Sequence, residues 1–240
     1  MKRKMLNLVI EKATWMDDYI FACQQGCTSC CTQSVTMTTL EGEGIYAYLE
    51  ETGRDCGQII ERMLAQRQDM NSPQVTTNQF AQFCLEGREV DISVNNGASW
   101  NFSPCQFLEN GDCSIYPVRP FACRALVSQK VCAQGGAAEM APVVVTLNTI
   151  WLQIIEHVDQ GGFWGNMLDV LAFLQNTHSG RTAEPLAGKT TRLLKNLPVP
   201  GFLLPQEERA VTSRALAGLF QTTIEGQPFS WLFKGVGIII

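Results

Sequence analysis

Apolar positions along this chain recur mainly at the three-to-four-residue spacing of a helix. In TWMDDYIFACQQG, Thr14 to Gly26, the residues Trp15, Tyr19 and Ala22 share one face. That spacing predicts a helix that delivers Cys23 in its last turn and stops at Gly26. SVTM follows as a short extended piece. Thr38 and Glu41 then stand at capping-box spacing and open a helix that ends near Gly53. Ile59, Ile60, Met63 and Leu64 predict another helix from about Cys56 to Met70, and Ser72 with Pro73 reads as the N-cap and first position of the next.

From about Arg88 to Tyr116 the pattern is turn-rich and weakly β, with Asn-Gly turns at 96–97 and 110–111. RPFACRALVSQ resumes as a helix with Pro120 in its first turn, and VVVT at 143–146 reads either as a strand or as the entry to the next helix. Leu147, Ile150, Trp151, Ile154, Ile155 and Val158 then form an apolar stripe that Gly161-Gly162 ends. Phe163 to Thr177 repeats the pattern with Met167, Leu168, Leu171 and Leu174. LAGKTTRLLKNLPVPG is punctuated by Gly and Pro, and one more helix follows Pro205. The expected fold is mainly α: a helical body with an irregular, turn-rich, cysteine-ligated metal-binding region. The expected organisation is residues 1–135 as that cysteine-cluster region and 136–240 as helices packed on it, the two forming either separate regions or a single domain.

Composition narrows the function classes. Among 240 residues, 45% are hydrophobic and 17% charged, which is globular and not disordered. The net charge of -5 offers no general attraction for nucleic acid. Residues 1–180 hold 11 Lys/Arg against 19 Asp/Glu and residues 181–240 hold 7 against 4, so a weakly basic tail follows an acidic body. Asn7 interrupts the apolar run Leu6 to Ile10, unlike a secretory signal, and GVGIII is too short to span a bilayer. GVGIII reads instead as a strand or tail packed on the body. The expected compartment is the cytoplasm, with no membrane and no nucleic-acid partner; a protein or small-molecule partner is left undetermined.

That compartment decides how the ten cysteines read. Thiols stay reduced there, so clustered cysteines point to metal or redox chemistry in place of a disulfide framework. Cys23, Cys27, Cys30 and Cys31 form one group; Cys105, Cys113, Cys123 and Cys132 form another, with gaps of seven, nine and eight residues. Four thiolates complete a zinc site or hold one iron-sulfur cluster. Adjacent side chains diverge, so Cys30 and Cys31 serve a single zinc ion poorly and fit two irons, or two sites, better. Cys23-x3-Cys27-x2-Cys30 also has the spacing of the radical S-adenosylmethionine motif. That motif belongs to a barrel of alternating strands and helices, however, and Ser29 stands where its aromatic residue is usual. Cys56 and Cys84, isolated in predicted helices, read as small buried hydrophobes.

Cys-x3-Cys-x2-Cys-Cys, a capped helix with Glu41, and then CQFLENGDCSIYPVRPFACR together resemble the YkgJ-type cysteine-cluster family, described as zinc- or iron-chelating. Cys105, Phe107, Leu108, Gly111, Cys113, Ile115, Tyr116, Arg119, Pro120, Cys123 and Arg124 fall on that family's second motif, and Cys132 sits where a last cysteine is frequent. Gln106 replaces the usual proline, and x3 stands in the first group where many members have x2. The resemblance covers about residues 20–135. It implies a metal centre ligated by Cys23, Cys27, Cys30, Cys31, Cys105, Cys113, Cys123 and Cys132, with an iron-sulfur cluster, such as 4Fe-4S, or zinc as its content. The flagellin lysine N-methylase group shares the cysteine cluster, so an iron-sulfur-dependent modifying enzyme is a related possibility.

Around these cysteines, Arg119 and Arg124 read as structural hydrogen-bonders or as counter-charges to a thiolate centre. Phe107 and Tyr116 read as an apolar wall, and Asp112 as a turn residue. His157, just off its apolar stripe, and His178, at a helix end, read as surface residues. No GxGxxG, Walker A or GxSxG sequence is present. Three function classes remain: a metal-binding protein with an iron-sulfur or zinc centre, an iron-sulfur modifying enzyme, and an electron-transfer or redox-sensing module.

Overall fold

The computed structural model describes residues 1–13, 19–67, 73–89, 103–132, 137–179 and 193–234. Its described residues form eight α-helices: α1 (Lys2–Lys12), α2 (Thr39–Glu51), α3 (Cys56–Ala65), α4 (Thr77–Leu85), α5 (Phe121–Ala125), α6 (Pro142–Val158), α7 (Met167–His178) and α8 (Arg209–Gln221). Seven short strands accompany them: β1 (Thr36–Thr38), β2 (Leu108–Glu109), β3 (Asp112–Cys113), β4 (Phe163–Asn166), β5 (Leu194–Lys195), β6 (Thr223–Ile224) and β7 (Gln227–Pro228). With about 52% of the described residues helical, 3-10 turns included, the fold is mainly α, as the periodicity predicts. Among the described residues, no helix is long and apolar enough to cross a membrane.

α6 is the central pillar. Pro142 occupies its first turn, where the missing N–H costs no hydrogen bond, so VVVT enters the helix and not a strand. The apolar stripe Leu147, Ile150, Trp151, Ile154, Ile155 and Val158 is buried as expected. The opposite face is buried too, and its polar side chains hold the chain segments that cover it. Asn148 donates to Ala125 O at 2.7 Å, and Gln153 donates to Gly201 O at 2.9 Å. Glu156 accepts from the backbone of Asn78 and of Leu197, each at 2.8 Å. His157 is therefore not a surface residue: only 3% is exposed, because the 199–202 segment and Leu232 close over it.

Two apolar cores flank this arrangement. One joins α1, α5, α6, α8 and the C-terminal turn through Val9, Phe121, Trp151, Leu216 and Phe229. The other joins α2, α3 and α7 through Ile45, Ile60 and Leu171, and takes in Phe107 and Ile115. Both halves of the chain contribute to each core. A three-stranded antiparallel sheet in the order β1-β4-β5 links them, with Met37 opposite Gly165. Where α2 crosses α7, Gly42 leaves no room for a side chain: a Cβ there would sit 2.8 Å from Leu174 Cδ1 and 2.9 Å from Val170 Cγ1.

Local signals with their own hydrogen bonds held. Thr38 caps α2 reciprocally with Glu41, and the Asn110-Gly111 pair, with φ of 53° and 86°, turns the β2–β3 hairpin. Other boundaries moved. Tyr19 to Gly26 is not helical, because Ala22 N pairs instead with Ser128 O at 2.8 Å; Trp15 lies outside the described residues. α3 ends at Ala65, and Met70 is outside the described residues. α4 starts at Thr77 and not at Pro73, since Thr76 supplies the capping oxygen to Gln79 N at 3.1 Å; Ser72 is outside the described residues. Phe163 to Asn166 pairs with β1 as a strand before α7 begins. The helix after Pro205 is present as α8, preceded by a single 3-10 turn. The 96–97 turn, residues 186–192 of the Gly/Pro-punctuated stretch and all of GVGIII fall outside the described residues.

Two outcomes follow. Gly42→Ala lowers stability by about 1–3 kcal/mol through overpacking against α7, measured by urea unfolding; an unchanged midpoint contradicts the close approach. His157 accepts the Val199 N–H at Nδ1 (3.1 Å), while its Nε2 faces Leu232 O at 2.9 Å. This pair requires the neutral ring, and burial pulls its pKa below the ordinary 6.5. The unfolded chain therefore takes up the proton first, so the stability from His157 is present above about pH 6.5 and lost as pH falls below it. The melting-temperature gap between wild type and His157→Gln narrows from pH 7.5 to pH 5. A gap independent of pH contradicts the assignment.

Candidate metal centre

Two remote segments meet at the cysteines. Residues around 31–33 run antiparallel to residues 103–105: Thr32 bridges Pro104, Gln33 N donates to Ser103 O at 3.0 Å, and Cys105 N donates to Cys31 O at 2.9 Å. Beyond Cys105 the chain turns through the β2–β3 hairpin, whose pairing of Leu108 with Cys113 carries Cys113 back beside this splice. Asp112 occupies β3 next to the hairpin turn, and its carboxylate lies 3.7 Å from where a Cβ on Gly26 would stand. Phe107, 1% exposed, and Ile115, 2% exposed, anchor the hairpin in the second core. A 3-10 turn at Tyr116–Val118 leads to Pro120 and α5, which carries Cys123.

A second junction lies one turn further along. Ala22 N donates to Ser128 O at 2.8 Å, and Ser128 N donates to Cys23 Sγ at 3.2 Å. The Ser128 hydroxyl donates to Lys130 O at 2.6 Å and accepts from Glu139 N at 3.1 Å. Ser128, 1% exposed, thus holds the segments bearing Cys23 and Cys132 together.

The outcome is a cavity of about 360 Å³ lined by Cys23, Cys27, Cys30, Cys31, Cys105, Cys113 and Cys123. Its apolar walls include Phe21, Ile115, Tyr116, Phe121 and Met167. Seven of the eight cysteines named in the sequence therefore share one cavity; Cys132 is not in its lining but adds to the negative charge felt at Cys23. All ten cysteines carry free thiols. Cys56 is buried as expected, whereas Cys84 is exposed on α4, whose buried face is carried by Asn78 and Ala81. Among the described residues, no three His, Cys, Asp or Glu side chains are gathered tightly enough to hold a single metal ion. The cysteines line the cavity instead of converging on one point.

The electrostatics of this wall suit a cation. Burial pushes the Cys123 thiol up to about 12, helped by the neighbouring Cys105 and Cys113. Burial likewise raises Cys105 and Cys23. Interaction with the neighbouring Cys31 raises the Cys30 thiol, helped by burial, and the same interaction lowers Cys31. Gathered thiolates repel one another and lose hydration, and a bound cation removes both penalties.

Both arginines beside the cysteines line the cavity and also bind nearby backbone carbonyls. Arg119 Nη1 donates to Tyr116 O at 2.9 Å, and its guanidinium sits 3.6 Å over the Tyr116 ring. Arg124 donates through Nε to Arg119 O (3.2 Å) and through Nη2 to Pro117 O (2.7 Å). Both brace the turn that presents Cys123, which agrees with their structural reading. Gln106 donates to Met63 O at 3.1 Å and ties the splice to α3.

Glu41 does more than cap α2. Its Oε2 accepts from Thr38 N (2.8 Å), while Oε1 accepts from Phe121 N at 2.7 Å, the first residue of α5. Burial pushes its pKa up, against the downward pull of these bonds. The capping box was legible at Thr38 and Glu41, but no local signal announces a bond eighty positions away. The Ser128 junction likewise has no signature in sequence. His178 is exposed at the end of α7, as its reading as a surface residue expects, and faces Glu43.

Comparison with protein-family models, curated proteins and solved structures finds no match.

Glu41→Ala removes the acceptor from two buried helix starts. The expected loss is about 2–4 kcal/mol, from one cap and one newly unsatisfied donor, read from urea unfolding. A loss under about 1 kcal/mol contradicts the bridging role.

Proposed function

We propose that this protein is a metal-binding protein whose cysteines 23, 27, 30, 31, 105, 113, 123 and 132 hold an iron-sulfur centre. The presence of seven of them in the lining of one cavity, from positions up to a hundred residues apart, carries this reading. Chance enrichment scatters cysteines over a fold; here two separate backbone junctions draw them together. The resemblance of residues 20–135 to a cysteine-cluster family points the same way.

The residue types that line the cavity suit such a centre. Thiolates are soft donors, suited to iron-sulfur clusters and zinc. The apolar wall of Phe21, Ile115 and Phe121 limits water at the sulfurs and strengthens charge interactions there. The vicinal Cys30–Cys31 pair favours iron and sulfide over one zinc ion, since two adjacent side chains reach separate atoms of a cluster more easily than one tetrahedral centre. When bound, the cluster supplies soft positive charge and electron-accepting capacity. The chain's own residues position the thiolates and, through Arg119, Arg124 and Glu41, hold rigid the turn on which Cys123 sits.

Anaerobic purification followed by iron, zinc and acid-labile sulfide analysis tests the reading. The expected result is at least one metal per chain, with iron and sulfide in matching amounts. Zinc without sulfide retains metal binding and overturns the iron-sulfur identity. Less than one metal per chain overturns both.

A further inference from the structure

We propose that the cysteine-lined cavity takes a small carboxylate ligand with an apolar body, its carboxylate held by Arg119 and Arg124. The inference shares a cavity with the metal-binding reading but rests on different residues, so each can fail without the other.

Two guanidiniums without a counter-ion carry the argument. Arg119 and Arg124 are half-buried, and both line the cavity. Among the described residues, they are the only Lys, Arg, His, Asp or Glu side chains in its lining. No carboxylate among the described residues forms an ion pair with either. Their acceptors are backbone carbonyls, which replace lost hydration but leave the charge unbalanced. The two charges also oppose each other, since Arg119 works with burial against the charge on Arg124. An anion held by both removes that imbalance.

The donors still open define the anion. Arg119 spends Nη1 on Tyr116 O at 2.9 Å, and its guanidinium carbon lies 3.6 Å from the Tyr116 ring centroid. That stack fixes the guanidinium, and its Nε–Nη2 edge has no protein partner among the described residues. Such an edge presents two parallel N–H groups, the fork that matches the two oxygens of a carboxylate. Arg124 spends Nε on Arg119 O (3.2 Å) and Nη2 on Pro117 O (2.7 Å), which leaves Nη1 for the same anion. Both side chains are braced before a ligand arrives, so little freedom is lost on binding. A phosphate dianion carries more charge and meets more repulsion beside a wall of thiols, which favours the singly charged carboxylate.

The remaining wall sets the rest of the molecule. Phe21, Ile115, Tyr116, Phe121, Leu126 and Met167 give it an apolar surface. The volume of about 360 Å³ falls within the roughly 300–1,000 Å³ of sites that take small organic molecules. A few convergent polar groups in an otherwise apolar pocket fix orientation, and here those groups are the two arginines.

The test is calorimetric titration of the intact, anaerobically isolated protein with hexanoate as the probe. Hexanamide, hexylamine and hexyl phosphate share its tail and differ in charge. Hexanoate is expected to bind in the millimolar range, hexanamide about tenfold or more weaker, hexyl phosphate weaker than hexanoate, and hexylamine not at all. Arg119→Lys keeps the charge and loses the fork. It is expected to weaken hexanoate about tenfold or more with the urea midpoint unchanged. The comparison of hexanoate with hexanamide on the wild-type chain needs no substitution and stands if that variant unfolds. No binding of hexanoate overturns the inference, and so does hexanamide bound equally well or an unchanged affinity in folded Arg119→Lys. Tighter binding of hexyl phosphate overturns the choice of carboxylate. A preparation without metal that binds hexanoate in this pattern upholds the inference and overturns the metal-binding reading. A metal-containing preparation indifferent to hexanoate does the reverse.

Discussion

One carboxylate joins the helical body to the cysteine-bearing turns. Glu41 spends one oxygen on the start of α2 and the other on the start of α5. Helix starts leave backbone N–H groups unsatisfied, and a buried start must find an acceptor. Two such starts satisfied by a single side chain cannot move independently. The position of Cys123 is thereby tied to the α2–α7 packing, and through Thr39 and Asp159 to the end of α6, where Thr39 Oγ1 donates to Asp159 at 2.7 Å. Much of the fold acts as a frame that holds one small turn in place.

The same logic recurs along α6. Its apolar stripe needed only periodicity to be recognised, but its polar face does as much to order the chain. Asn148 binds the end of α5 at Ala125, and Gln153, Glu156 and His157 bind backbone groups of irregular segments at Gly201, Leu197 and Val199. Irregular chain can be buried only when its polar groups are paired, and a helix with a polar second face supplies partners at fixed intervals. Of the cysteine-bearing parts of the chain, α5 is held in this way, by Asn148 at Ala125 O and by Glu41 at Phe121 N.

That division explains what was legible in sequence. Features whose cause is local were readable: the Thr38–Glu41 cap, the Asn110-Gly111 hairpin, the Leu147–Val158 stripe, and the cysteine-bearing segments as a turn-rich interruption in a helical chain. Features whose cause is a distant partner were not. Residues 19–26 have helical spacing, yet Ser128 claims Ala22 and Cys23. Phe163 to Asn166 continues a helical pattern, yet β1 takes it as a strand. His157 looks like a surface residue until the 199–202 segment closes over it. At the candidate centre, spacing and resemblance name eight cysteines, of which seven line one cavity. Which cysteines neighbour which depends on the Cys31–Cys105 splice and the Ser128 junction, and neither has a sequence signature.

The central claim is that these thiols are metal ligands, and X-ray absorption at the metal edge of the anaerobically isolated protein tests it most directly. The account predicts a first shell composed of sulfur alone, with a metal–metal neighbour if the content is an iron-sulfur cluster. A shell dominated by nitrogen or oxygen would contradict it.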